Sequence, residues 1–313
     1  MTKKFLIFLC VVVLLNGCQK EQEIEVGYSA LRITLPVFVA MEKGFFKEEG
    51  LNVKLIKFDT AQPMMQALVA GTVKVAGYTA LPITYNAMLR GNKELYFITS
   101  LLEDNKHPIT YFLVPNSARQ GISIADFAGK KIGILPTVAY QKWIEQILIK
   151  NGVDPKSVTV VPVAPNLQAS ALQSGQVDAL LINDPVATAM LQKGLARKIS
   201  DEALVPKYLG EPMLFGSFNV DKAWADQNPA VFNKLVRALD KAVVFHNNNP
   251  HAAKEAMKPY VDETQRDYVM HYADAYYLGT KQSKVADFQA AVDQFVSIGI
   301  IPKTLQVSHL VVK

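Results

Sequence analysis

The sequence predicts an α/β protein of two similar lobes with a helical C-terminal tail, and three observations carry that prediction. As far as Ile182 the chain alternates short apolar runs with amphipathic helical patterns, the mark of strands followed by covering helices. The phrase "ALVAGTVKVAGY" at 67–78 returns as "ALQSGQVDALLI" at 171–182, so one supersecondary unit is stated twice. From Asp221 onward the pattern turns helical. A chain of 313 residues, half of them hydrophobic, is long enough for two domains and excludes disordered, collagen-like and coiled-coil classes.

In the first unit, residues 24–28, 53–58, 73–78 and 95–101 read as strands, with helices over about 37–46, 64–70 and 81–89. "KGFFKEEGLNVKL" shows one join plainly: a charged helix end, Gly50 as C-cap, then a β-branched strand. The pattern restarts at "GKKIGILP", giving strands over 131–135, 158–163 and 179–182 with helices over 139–150 and 167–173. Each copy of the repeated phrase is then the last helix-turn-strand of a βαβαβ unit, with Gly71 or Gly175 ending the helix. In the tail, "NPAVFNKLVRALDKAVVF", "NPHAAKEAM" and "VADFQAAVDQFVSIG" read as three helices, the first with Pro229 near its start and the last closed by Gly299. The strand-like runs "ITYFLVP" (109–115) and "LFGSFNV" (214–220) bracket the second unit and read as two crossovers. Lobe 1 is therefore expected to hold residues 24–112 and 218–313, and lobe 2 residues 113–217.

Two such lobes leave a cleft, and ligands of open parallel sheets sit at the carboxyl ends of the strands. That rule selects Ser29 and Arg32 after the first strand, Thr60 and Gln62 after the second, and Tyr78 and Thr79 at the third. In lobe 2 it selects Thr137, Val138, Ala139 and Tyr140, then Asn183 and Asp184; Phe215 joins them from the second crossover. Arg32 is the only basic residue in these turns. Pointing inward it would favour a carboxylate, sulfonate or other anion; pointing outward it leaves Tyr28, Tyr78, Tyr140 and Phe215 to favour an aromatic or neutral solute. Thr60, Thr79 and Thr137 read equally as helix caps, and Asp184 either accepts from a ligand N–H or caps the helix that begins at Pro185.

The opening "MTKKFLIFLCVVVLLNGCQK" places two lysines before an apolar run from Phe5 to Leu15. That run is too short for a membrane span of roughly 20 residues and has the length of a signal-peptide core. "LNGC" resembles the bacterial lipobox, which makes residues 1–17 a lipoprotein signal peptide, Cys18 the acylated residue and 18–23 a short tether. Cys10 would leave with the peptide, so the body would hold itself together without disulfides. Removing Lys3 and Lys4 from the formal +5 leaves +3, too small a balance to argue for nucleic acid.

"VAMEKGFFKEEGLNVKL", "ALVAGTVKVAGY", "FAGKKIGI" and "ALQSGQVDALLINDPVATAML", in this order, resemble the solute-binding proteins of ABC importers for nitrate, alkanesulfonates and taurine, a group that also contains thiamine-precursor binders. The resemblance implies a two-lobe periplasmic-binding-protein type II fold, with the helical tail packed on lobe 1. It implies a cleft that closes on a small solute, with an ABC permease and its ATPase as partners. It implies an anchored monomer in the bacterial cell envelope, facing the periplasm or the exterior, with no cofactor or metal. It also puts Pro136 to Ala139 where relatives offer hydroxyls and backbone N–H groups at a helix N-terminus, a setting suited to an anion, with Thr79 facing it from lobe 1. The tryptophan-rich first strand and the cysteine motif of the thiamine-precursor branch are missing. The competing classes are a pyrimidine-forming enzyme, against which stand five scattered histidines and a body without cysteine, and an anchored ligand sensor.

Overall fold

The computed structural model describes residues 23–313. The first unit runs β1 (Ile24–Ser29), α1 (Leu35–Glu42), α2 (Phe45–Glu48), β2 (Val53–Phe58), α3 (Ala61–Ala70), β3 (Val75–Ala80), α4 (Leu81–Gly91) and β4 (Leu95–Glu103). The second runs β5 (Thr110–Pro115), β6 (Lys131–Ile134), α5 (Val138–Lys150), β7 (Thr159–Pro162), α6 (Pro165–Gln173), β8 (Ala179–Asn183), α7 (Val186–Gln192), β9 (Ala196–Lys198) and α8 (Leu204–Leu209). The chain returns through β10 (Met213–Asp221) to α9 (Lys222–Gln227), α10 (Pro229–Asn248), α11 (Pro250–Met257), α12 (Glu263–Val269), β11 (Tyr276–Leu278) and α13 (Val285–Ser297).

The repeated phrase has a direct structural counterpart. Gly71 (φ 78°) and Gly175 (φ 72°) end α3 and α6 in the left-handed region that glycine enters without a Cβ penalty. Leu68 and Leu172 on the last helical turns, and Val73 and Val177 after the glycines, are all buried. Each pair clips the helix end to the strand that follows. The sheets built from the two units match as well: β2-β1-β3 and β7-β6-β8 are parallel triplets. Each triplet is extended by an antiparallel strand, β10 beside β3 and β5 beside β8. The first sheet continues through β4 to β11, the second ends at β9.

These pairings move the lobe boundaries from where the sequence put them. All of β5 pairs within the second sheet and all of β10 within the first, so the chain crosses at 104–109 and 210–212, before each apolar run. A strand whose partners all lie in one sheet cannot straddle two. At Gly216 in β10 a Cβ would lie 2.5 Å from the Thr79 carbonyl oxygen, which explains a glycine in the middle of a buried strand.

The tail is not wholly helical, and it does not rest on lobe 1 alone. α10 and α11 pack on α1, and α13 packs on α4 and β10, all in lobe 1. β11 adds an edge strand to the first sheet, while α12 packs against α7 of lobe 2. Tyr268, Tyr272 and Tyr276, spaced as on one helix, are split among α12, the loop after it and β11. Cys18 and residues 1–17, expected to form a signal peptide, lie outside the described residues. Among those residues, no helix is long and apolar enough to cross a membrane.

His246 sits on the buried face of α10, edge-on to Tyr277 at 4.7 Å, with Nδ1 3.1 Å from Asn247 Oδ1. Burial pulls its pKa down to about 4, although Asn247 works the other way. The folded state therefore keeps His246 neutral while the unfolded chain binds a proton below about 6.5. This contribution is complete above pH 6.5 and is lost as pH falls toward 4, at a cost of about 3 kcal/mol. Denaturant titrations from pH 8 to 4 should show that slope, and His246→Phe should flatten it; an unchanged slope in the variant would place the titration elsewhere.

Candidate functional site

Between the lobes lies a cavity of about 470 Å³. From lobe 1 it is walled by the turns that follow β1 and β2, including Leu31, Phe58 and Thr60, and by Phe215 of β10. From lobe 2 come Thr137, Tyr140 and Trp143 of the β6–α5 segment, Asn166 and Gln168 of α6, and Asn183 and Asp184 after β8. Asp262 and Gln265, at the start of α12, close one side. The walls are thus strand-to-helix turns from both sheets, as the carboxyl-end rule requires.

Of the residues selected from sequence, Thr60, Gln62, Thr137, Ala139, Tyr140, Asn183, Asp184 and Phe215 line this cavity together. Val138, half exposed, lines an adjoining groove of about 450 Å³ between α3, α4 and the start of α5. The other four lie elsewhere. Tyr78 is fully buried, with its hydroxyl bonded to Thr99 Oγ1 and its ring edge-on to Phe218 and Tyr277. Thr79 is also fully buried: its hydroxyl is 2.5 Å from that of Thr84 and accepts from Asn219 Nδ2 at 3.0 Å. Both are held by the sheet core because β3 runs two residues beyond 78 and turns only after Ala80. Ser29, the last residue of β1, is buried with its Oγ unpartnered, and Ala30 and Leu31 take its place at the wall.

Arg32 points inward, but not at the cavity. Its Nε lies 3.0 Å from Asp184 Oδ2, and both side chains are 2% exposed. Nη1 donates to the Ala273 carbonyl at 2.7 Å and Nη2 to that of Pro108. Asp184 is occupied in turn: Oδ1 accepts from the hydroxyl of Thr188 at 2.6 Å and its backbone N–H at 3.2 Å, and the Tyr111 hydroxyl lies 3.4 Å from Oδ2. The pair therefore joins lobe 1, lobe 2, a crossover and the tail at one buried point. Beside it, at the first crossover, Glu103 Oε1 accepts from Ile109 N–H, Thr110 N–H and the Thr110 hydroxyl at 2.6–2.9 Å. Burial pushes the Glu103 carboxyl above the usual range against those bonds. The sequence alternatives for Arg32, anion contact or solvent, give way to a third: charge pairing between the lobes.

Thr137 caps α5 by accepting from the Tyr140 N–H at 3.3 Å, whereas Thr60 holds the N-cap position of α3 without a side-chain bond. Sequence reasoning missed Trp143, which lies one turn beyond Ala139 and Tyr140 and so shares their face. It missed Asn166 because the turn after β7 was not read with the others. No pattern in the sequence points to Asp262 or Gln265, which the tail brings from far along the chain.

This is the two-lobe fold of periplasmic binding proteins. The chain superposes on the alkanesulfonate-binding protein SsuA of Xanthomonas axonopodis pv. citri with a TM-score of 0.69 and 18% identity, over 92% of this chain and 97% of that one. Residues 34–253 match the NMT1/THI5-like family model, and the protein belongs to that family. It is similar to the nitrate/nitrite binding protein NrtA of Synechococcus elongatus, 23% identical over 71% of this chain and 54% of the relative. It also resembles a putative aliphatic sulfonates-binding protein of Bacillus subtilis, 24% identical over 80% of this chain and 75% of that protein. A Saccharomyces cerevisiae 4-amino-5-hydroxymethyl-2-methylpyrimidine phosphate synthase, THI13, is 24% identical over 73% of this chain and 66% of its own. The chain spans about half the length of the nitrate/nitrite-binding relative.

Removing one partner of a buried ion pair leaves an uncompensated charge and costs about 3–5 kcal/mol. Arg32→Met should lose stability on that scale in chemical denaturation, and adding Asp184→Asn should recover part of it. Strictly additive losses in the double variant would mean that the two side chains are not coupled.

Proposed function

We propose that this protein captures a small solute between its lobes and delivers it to the permease and ATPase of an ABC importer, acting as a monomer outside the cytoplasm, anchored through an acylated Cys18. The observation that carries this reading is the interlobe cavity itself, walled by strand-end turns of both sheets in a chain of the NMT1/THI5-like family. Relatives named as binding proteins support the same reading.

The mechanism follows from which lobe supplies which contact. A solute held by Thr60 and Phe215 on one side and by Asn183 and Tyr140 on the other gains contacts only when the lobes approach, so binding shifts the open–closed balance toward the closed form. The closed form then presents both lobe surfaces to the permease. The apolar run from Phe5 to Leu15 and Cys18 after it support export and anchoring. The synthase relative raises a pyrimidine-forming alternative, which would require turnover of bound ligand in place of reversible release.

A cognate solute at about a hundred times its dissociation constant should add roughly 2.7 kcal/mol of stability, visible as a saturable thermal shift. Thr60→Ala and Asn183→Ala, one from each lobe, should each weaken that binding; unchanged affinity in both would move the site out of the cleft. Recovery of the solute chemically unaltered separates a binder from an enzyme. For the anchor, Cys18→Ser should move the protein from the membrane fraction to the soluble fraction of cells, and continued membrane retention would refute acylation as its cause.

A further inference from the structure

We propose that Glu103 is a proton-operated catch at the junction of the two lobes: with a proton bound it holds the first crossover in the packed form described above, and on losing that proton it loosens the crossover and lets the lobes part. The proposal concerns the junction and is independent of which solute the cleft takes. Glu103 ends β4, is fully buried, and pairs with Met213 at the start of β10. It therefore sits both where the chain leaves lobe 1 and where it returns. Its Oε1 accepts three bonds at 2.6–2.9 Å from Ile109 and Thr110, the residues through which the chain enters β5 of lobe 2. Its Oε2 is buried and has no partner among the described residues.

The charges around it do not balance when Glu103 is ionised. Arg32, the cation that faces it, commits Nε to Asp184 and its other two nitrogens to the carbonyls of Ala273 and Pro108. An ionised Glu103 would place two carboxylates beside one guanidinium in the interior, and a surplus buried charge is costly. Burial pushes the carboxyl above the usual range, against the bonds from Thr110 and Ile109 and the attraction of Arg32. The folded chain thus keeps a proton that an unfolded glutamate releases near about pH 4.3. The stability this adds is complete below that pH and is lost as pH rises through the folded value. That loss falls on the junction, because water relieves the charge, and water reaches Oε2 when residues 104–110 lift and the lobes part.

The other titratable groups around Glu103 differ from it in their settings. Burial keeps the Tyr111 hydroxyl of β5 and the Tyr140 hydroxyl of α5 protonated well above the tyrosine range. Asp184, at the end of β8, has its charge met by Arg32. Within the crossover, His107 and Asp104 are partly exposed and bonded to each other at 2.9 Å, and Tyr276 of β11 stacks on His107. Glu211, in the second crossover, accepts from Asn105 of the first. Of the two carboxylates buried at the junction, Glu103 is the one with no cation bonded to it.

Cys10 and Cys18 are the two cysteines of the chain. In the full chain with both changed to serine, spin labels at Lys47→Cys in lobe 1 and Lys156→Cys in lobe 2, both exposed positions, report the separation of the lobes without added solute. That separation should widen as pH rises from 4 to 9. Glu103→Gln, neutral at every pH, should hold the low-pH separation throughout, and His107→Gln should keep the original response. A constant separation, a narrowing, the same widening in Glu103→Gln, or its loss in His107→Gln overturns the proposal. Carboxyl-carbon NMR of the unsubstituted chain, with Glu103 assigned through its own backbone, gives a second test that does not depend on any variant folding. The carboxyl should titrate above the ordinary glutamate range; titration at or below about 4.3 overturns the proposal. Neither measurement involves a solute, so failure here leaves the capture reading standing.

Discussion

Arg32 stands where four parts of the chain meet, and the geometry of the cleft depends on its guanidinium. One nitrogen faces Asp184 at the end of the second sheet, and the others reach the carbonyls of Pro108 in the first crossover and Ala273 in the tail. Its own carbonyl accepts from the Tyr277 hydroxyl at 3.0 Å, tying the same turn to β11. A buried pair of this kind is weak evidence for net stability, because desolvating both ions offsets most of their attraction. What it does supply is position. Parting the two side chains would leave a charge in the interior without a partner, so the pair holds the lobes together at this point.

That constraint also determines the chemistry left in the cavity. Pairing withdraws the Arg32 guanidinium from any anion and the Asp184 carboxylate from any cation. The remaining wall is aromatic and amide-rich, with Asn166, Gln168 and Asn183 beside Tyr140, Trp143 and Phe215. One family thus includes relatives named for nitrate and for sulfonates.

The tail contributes more than cover. α10, α11 and α13 fill out lobe 1, but α12 leans on α7 of lobe 2 and brings Asp262 and Gln265 to the cavity. The Lys57–Asp262 bond, half exposed, ties β2 of lobe 1 to the start of α12. An exposed pair of this sort contributes little energy.

The sequence by itself determined the two-lobe plan, the parallel order within each half and the helices of the tail, because these follow from local patterns: apolar period, glycine at φ above zero, proline at helix starts. Leu68 and Leu172, or Gly71 and Gly175, are equivalent in the fold because they are equivalent in the chain. The strand-end rule likewise brought seven of the selected residues to one cavity, since it depends on direction along a strand and not on distant partners. What only the tertiary structure decided were matters of pairing across the chain. Whether Arg32 met ligand, solvent or Asp184, whether Tyr78 and Thr79 faced the cleft or the sheet core, and which sheet held β5 and β10 all depend on residues far away in sequence. The contact between Arg32 and Ala273 joins residues 241 positions apart, and no local pattern encodes a partner at that distance.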